Sequence, residues 1–319
     1  MADPAPLLTR RRVLAAAAET TPGSAETLDA ADAAMNVFDI EIQPNIEWAE
    51  RPGQSALSPL AGITQARAGQ VSFKTEVHGS GNAGAPVPTW ASVLLPACGW
   101  GQATSVFSPD SRPPGAASST LATVTIGVYE NGVYKVLRGC MGTFRIVLTS
   151  GGRVMIEWTF TGIWDTPSDV GLLTPTYPTV TPLKFQGATF TIGSWSPKVS
   201  EAALESGGEV YLRPNAGDAA AYDSAVIVAR RPVGSFNPEA NLVADEDVYG
   251  EWLAGTSRAL QIILGSGSAD GNTVQIDAPA VQYTNVQELD RDGVQADDIG
   301  FQCNRSAAAG DDEMTFTFS

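Results

Sequence analysis

The 319-residue chain has a single histidine and three cysteines. A Ser-His-Asp or Cys-His nucleophile system would have to use His78, and its surroundings, Glu76-Val77-His78-Gly79, hold no nucleophile elbow. His78 is therefore read as an exposed residue at a strand end. One His with Cys98, Cys140 and Cys303 cannot supply the ligand set of a zinc site. An odd, sparse set of cysteines gives no disulfide framework and points to folding in a reducing compartment. No apolar run approaches the ~18 residues of a membrane-spanning helix. Gly79-Ser80-Gly81 and Gly265-Ser266-Gly267 lack the Lys-Ser/Thr that completes a phosphate-binding loop. Asp245-Glu246-Asp247 and Asp311-Asp312-Glu313 lack the spacing of an EF-hand and read as acidic turns. No enzyme, metal or cofactor is expected.

Basic residues are also scarce. There are 19 Lys and Arg against 35 Asp and Glu, a net charge of −16. Tight phosphate binding needs clustered cations, so a DNA-gripping surface is excluded, although one that DNA slides past is not. Residues 200–319 hold 20 of the acidic and 6 of the basic residues, so the second half carries most of the negative charge.

At the amino end, Thr9-Arg10-Arg11-Arg12-Val13-Leu14 and four alanines resemble a twin-arginine export signal. The apolar run stops at Glu19, short of the roughly 7–15 residues such a segment needs. Residues 1–35 are read as an extended arm.

What the chain does have is turns and alternation. With 32 Gly, 21 Pro and 43% hydrophobic residues, it suits many short strands around a real core. A strand grammar runs twice. The first pass holds Val71–Gly79, a short helical segment Thr89–Cys98, and a hairpin over Thr143–Gly162 around Ser150-Gly151-Gly152. The second holds Ala225–Arg231, a short helical segment Val248–Ala254, and a long closing stretch Asn285–Ser319. Asn131-Gly132 is a tight-turn signal, and Gly207-Gly208 breaks a strand pattern. The repeat predicts a pseudo-symmetric block used twice: residues 36–165 and 184–319, with 166–183 as linker. Trp90 and Trp252, one in each helical segment, are expected to be matching core anchors.

Several segments, in order, resemble the major tail (tail tube) proteins of long-tailed siphophages. They are Leu8–Thr21, Glu50–Gln54, Phe73–Gly81, Leu94–Gly99, Arg138-Gly139-Cys140-Met141-Gly142, Gln287–Gly293, Ile299–Ser306 and Asp311–Phe318. The resemblance implies two tandem antiparallel β-sandwich or half-barrel tube domains, each with one short flanking helix. It implies a structural subunit that forms trimeric, pseudo-hexameric rings, stacked into a conduit for DNA ejection. Its partners would be itself, a tape-measure protein, a tail terminator and a distal tail protein, with double-stranded DNA only in passage. The place would be the virion tail, assembled in the host cytoplasm.

Acidic residues lining such a lumen would repel phosphates. Asp290, Asp292, Asp297 and Asp298 are the candidates for that lining, against the alternative that they cap turns and face solvent. Residues 1–35 and the loop Gly79–Pro88 are candidates for contacts between rings. Two other readings stay open here: another β-rich structural protein of the virion, and a secreted acidic β-sandwich that binds carbohydrate.

Overall fold

A computed structural model describes residues 8, 10–55, 57–111, 122–265 and 270–319. Thr9, Ser266 and Gly267, singled out above, lie outside the described residues. The described chain is mainly β, with two short helices. The first half runs β1 (Arg12–Ala18), β2 (Val37–Arg51), β3 (Leu60–Glu76), α1 (Thr89–Ala97), β4 (Trp100–Ala103), β5 (Val106–Pro109), β6 (Val124–Glu130), β7 (Val133–Thr149), β8 (Met155–Trp164) and β9 (Ser168–Asp169). The second half runs β10 (Thr189–Ile192), β11 (Val199–Glu205), β12 (Gly208–Pro214), β13 (Tyr222–Arg230), β14 (Val233–Pro238), α2 (Val248–Ala254), β15 (Ser257–Leu264), β16 (Val274–Arg291), β17 (Val294–Cys303) and β18 (Thr315–Phe318).

Both halves pair their strands in one order. The first is β1-β6-β7-β8-β3-β2, and the second is β10-β15-β16-β17-β14-β11, antiparallel throughout. Three register slips fall at corresponding places in the two. One slip lies between Phe38 and Glu41, and between Val199 and Ala202. Another lies between Val124 and Ile126, and between Arg258 and Leu260. The third lies between Arg138 and Met141, and between Tyr283 and Asn285. A bulge re-aims a strand at a set position, so three shared bulges tie the two sheets together more closely than residue identity does.

Local chemistry sets the turns. Asn131-Gly132 and Asp292-Gly293 all have positive φ, the two-residue turn that matches strand twist. The halves differ at one hinge. β2 and β3 form one long hairpin, with two further slips at Ile46/Trp48 and Ala49/Arg51, while its counterpart breaks into β11–β14 and β12–β13. Gly207, at φ +57°, makes that break: a Cβ there would sit 1.8 Å from the Arg231 carbonyl oxygen.

The halves share one sheet and one core. β7 pairs with β11, from Arg145↔Glu205 to Thr149↔Glu201. The carboxyl-terminal β18 pairs with β16 and then with β5 of the first half. Phe316 and Phe318 thereby enter the first half's aromatic core. Phe318 meets Trp90 and Phe107 at 5.7 Å each, and Phe316 meets Phe144 at 5.6 Å.

Three segments differ from the sequence reading. Within residues 1–35, read as an arm, Arg12–Ala18 forms β1, with Val13, Leu14, Ala15 and Ala16 buried against β6. Small alanines let β1 lie close to its neighbours. His78 is 3% exposed, not a surface residue. Its Nδ1 lies 2.6 Å from the Gly79 carbonyl, and its ring meets the edge of Trp90. The loop after it, Gly79–Pro88, is tied to the second half: Gly79 N donates to Asn272 Oδ1 and Gly81 N to the Gly271 carbonyl. Cys98, Cys140 and Cys303 are free and buried, and burial pushes each thiol up, Cys303 to about 12.

Candidate assembly interface

The seam between the halves is built from backbone pairing and a hinged hairpin. Beyond the β7–β11 rungs, β12–β13 folds over the first half because of the Gly207 hinge. Ser224 and Ala225 are fully buried there. Arg67 N donates to the Ala220 carbonyl at 3.1 Å. Ile227 reaches the end of α1, 3.3 Å from where a Cβ on Gly99 would be. Gly139 sits at φ +60° in the β7 bulge, where an added Cβ would lie 3.1 Å from Ser224 Cα.

One side chain locks this seam, and a second fixes the β7 bulge beside it. Arg138 donates to Asp218 at 3.0 Å, to Asp165, and to the Gly23 carbonyl. The Asp218 carboxyl is held below its ordinary range, first by the Ala220 N–H and then by Arg138. Glu19 is buried, and its carboxylate accepts from Gly23 N at 2.7 Å, Gly139 N at 2.6 Å, Thr123 Oγ1 at 2.7 Å and Thr125 Oγ1 at 2.8 Å. A buried carboxylate this well satisfied fixes the bulge to the chain that follows β1.

On the polar face, charges alternate across five adjacent strands. Lys74 of β3 reaches Asp39 at 3.6 Å and Glu157 of β8 at 3.1 Å. Arg145 of β7 then reaches Glu157 at 4.0 Å and, across the seam, Glu205 of β11 at 3.1 Å. Each exposed pair is weak, but together they fix register through cross-strand complementarity.

The same parts recur unpaired at the two ends. β2, the counterpart of β11, pairs only with β3. β16, the counterpart of β7, is covered by β15 only as far as Gln282, and its outer stretch to Arg291 pairs only with β17. So the chain joins its halves through the β7–β11 seam, besides the β18–β5 pairing, and leaves the edges that match the seam, β16 and β2, open. Among the described residues no cluster of three or more His, Cys, Asp or Glu could hold a metal, and no helix is long and apolar enough to cross a membrane.

A family model described as phage tail tube protein matches residues 9–317. The chain belongs to the phage tail tube protein family. No curated protein matches it. Membership makes this tube protein a structural component of a virion tail that associates with itself.

The tube protein's four candidate lumen carboxylates do not form one group. Asp290 accepts from Gly293 N at 2.7 Å and so caps the β16–β17 turn, with Asp292 beside it at φ +52°. Asp298 is exposed. Its neighbour Asp297 points to the other face and is only 4% exposed, with the Tyr249 hydroxyl at 3.4 Å. Burial raises its carboxyl above the usual range, opposed by the Tyr249 hydrogen bond.

The tryptophans differ as well. Trp90 is 2% exposed and packs on Trp158. Trp252 is 38% exposed and is not a core residue of the single chain. The bulges explain why. Three residues beyond them, Phe144 faces Trp158 in the first half and Glu288 faces Asp297 in the second. Helix α1 lies on aromatics, while α2 lies against Asp297 and buries only Val248. The second helical residue, Trp90 in α1, is matched by Tyr249 in α2, whose hydroxyl suits the polar bed. Arg138, Asp218 and Glu19 were missed from sequence. Arg138 lies in the Arg138–Gly142 segment, but its partner Asp218 is 80 residues away and Glu19 lies 120 residues from Gly139.

Proposed function

We propose that the chain is the repeating subunit of a tail tube that closes head to tail into a ring of three copies, six equivalent units around a lumen. Rings then stack into the conduit for DNA ejection. The carrying observation is the β7–β11 seam together with its counterpart edges, β16 and β2, left open at opposite ends. An open edge is a pairing hazard unless something covers it. A heterologous contact that repeats the internal one either closes into a ring or runs on as a helix. Two units per chain make three chains the natural closure of a six-unit ring. On this reading the two tube units are residues 36–165 together with β1, and residues 184–319, joined by 166–183.

The work is done by shape and self-association, not by a reaction. A chain of net charge −16 presents little for phosphates to grip, so DNA passes without stalling. Asp290, Asp292 and Asp298 remain the candidates for the lumen. Asp297 serves α2 instead. The tape-measure protein, terminator and distal tail protein are the partners, and the host cytoplasm is the place of assembly. Negative-stain electron microscopy of the purified chain across a concentration series tests this. Three-fold rings or hollow tubes support it, and particles without an axial pore refute it.

A further inference from the structure

We infer that the outer arm of the β2–β3 hairpin seats on α2 of the adjacent copy in the same ring, with Trp48 against the exposed face that carries Trp252. This deepens the ring reading above and rests on it.

The arm holds an apolar stripe with nothing to cover it. Ile46 and Trp48 are 44% and 62% exposed. Alternation places Ile46 and Trp48 on the face that also carries Ile42, which packs on the core. Trp48 pairs opposite Thr64, and its ring lies across Gly62, where an added Cβ would come within 2.2 Å of it. The ring is thus laid flat along the arm, held ready rather than free. A flat, ordered tryptophan on an extended hairpin is the type of anchor that carries an interface.

The internal seam shows where it goes. In the second half the equivalent hairpin, β12–β13, crosses onto the first half's helix side. Its Ile227 touches Gly99, the residue that follows the α1 cap. The same reach from β3 of one copy ends at Gly255, the residue that caps α2, on the next copy. There α2 presents what α1 has already buried: Tyr249 and Trp252 are part-exposed, and Leu253 is 87% exposed. Two uncovered apolar surfaces occupy matching positions at opposite ends of one chain, and the chain already contains the contact that would join them. Exposed patches of this kind mark association sites.

The test mixes two single-cysteine versions of the full chain, Trp48→Cys and Trp252→Cys, and treats them with a short bis-maleimide under ring-forming conditions. The native cysteines are buried and do not compete. Unchanged thermal unfolding of each variant checks the fold. A two-chain product that needs both variants, and that forms in isolated single rings, supports the inference. Trp48→Ala should also weaken association tenfold or more, the loss expected for an anchor worth at least about 1.4 kcal/mol. Rings that form without the product, or a product seen only in stacked tubes, overturn the arm-to-α2 contact and leave the tube reading standing. Absence of both rings and product overturns both.

Discussion

Replacing Phe318 by alanine should destabilise the whole chain. Here the ring is 1% exposed and contacts Trp90 and Phe107 edge-on. Its backbone pairs with Val274 and donates to the Ser105 carbonyl at 2.9 Å. Phe→Ala in such a site costs about 3–5 kcal/mol, from lost transfer energy and an unfilled cavity. A typical domain has about 5–15 kcal/mol in total, so the loss is a large share of the stability. Chemical unfolding followed by far-ultraviolet circular dichroism and tryptophan fluorescence measures it. The two probes should shift together, since Phe318 comes from one half and Trp90 from the other. Thr317→Ala, whose side chain is partly exposed, is the control and should stay within about 0.5 kcal/mol. A cost below about 1 kcal/mol for Phe318→Ala would refute the claim that the carboxyl-terminal strand completes the first half's core.

Gly207→Ala should destabilise by more than about 1 kcal/mol, because its left-handed backbone and the Arg231 carbonyl leave no room for a Cβ; a thermal melt checks it. Arg138→Ala should cost about 1–3 kcal/mol by leaving the Gly23 carbonyl without this donor and Asp218 with the Ala220 N–H but no guanidinium; urea unfolding reports it. Asp297 has a raised carboxyl, so the folded chain binds its proton more tightly than the unfolded chain. Its stabilising contribution is present at low pH and falls as pH rises from the unfolded value near 3.9 through the folded one. Asp297→Asn should therefore raise the melting temperature at pH 7 and lose that advantage below about pH 4; an advantage that persists at pH 3 contradicts the assignment. Removing residues 1–18 should abolish soluble folded protein, because β1 goes with them; recovery of a folded monomer with native near-ultraviolet circular dichroism would count against it.

Signals that act over a few residues were legible in the sequence. The Asn131-Gly132 turn, the hairpin around Ser150–Gly152 and both short helices form where their own residues demand. The Gly207-Gly208 break is also in place, but its consequence, a hairpin thrown across the seam, depends on the Arg231 carbonyl and could not be read locally. β1 escaped notice because alanine has little strand preference and its partner, β6, lies more than a hundred residues away. His78 looked exposed because the loop that buries it is held by Gly271 and Asn272. Trp252 looked like Trp90 because both are tryptophans in short helices, whereas the bed beneath each helix decides burial. Asp297 and Asp298 show the same limit: adjacent in sequence, they face opposite sides of one strand.

The central claim is that one chain carries two equivalent tube units, so that three chains close a ring. Native mass spectrometry of the smallest closed ring tests it most directly. The account predicts three chains of 33.3 kDa. A ring of six chains, or a chain that stays monomeric at every concentration, contradicts it.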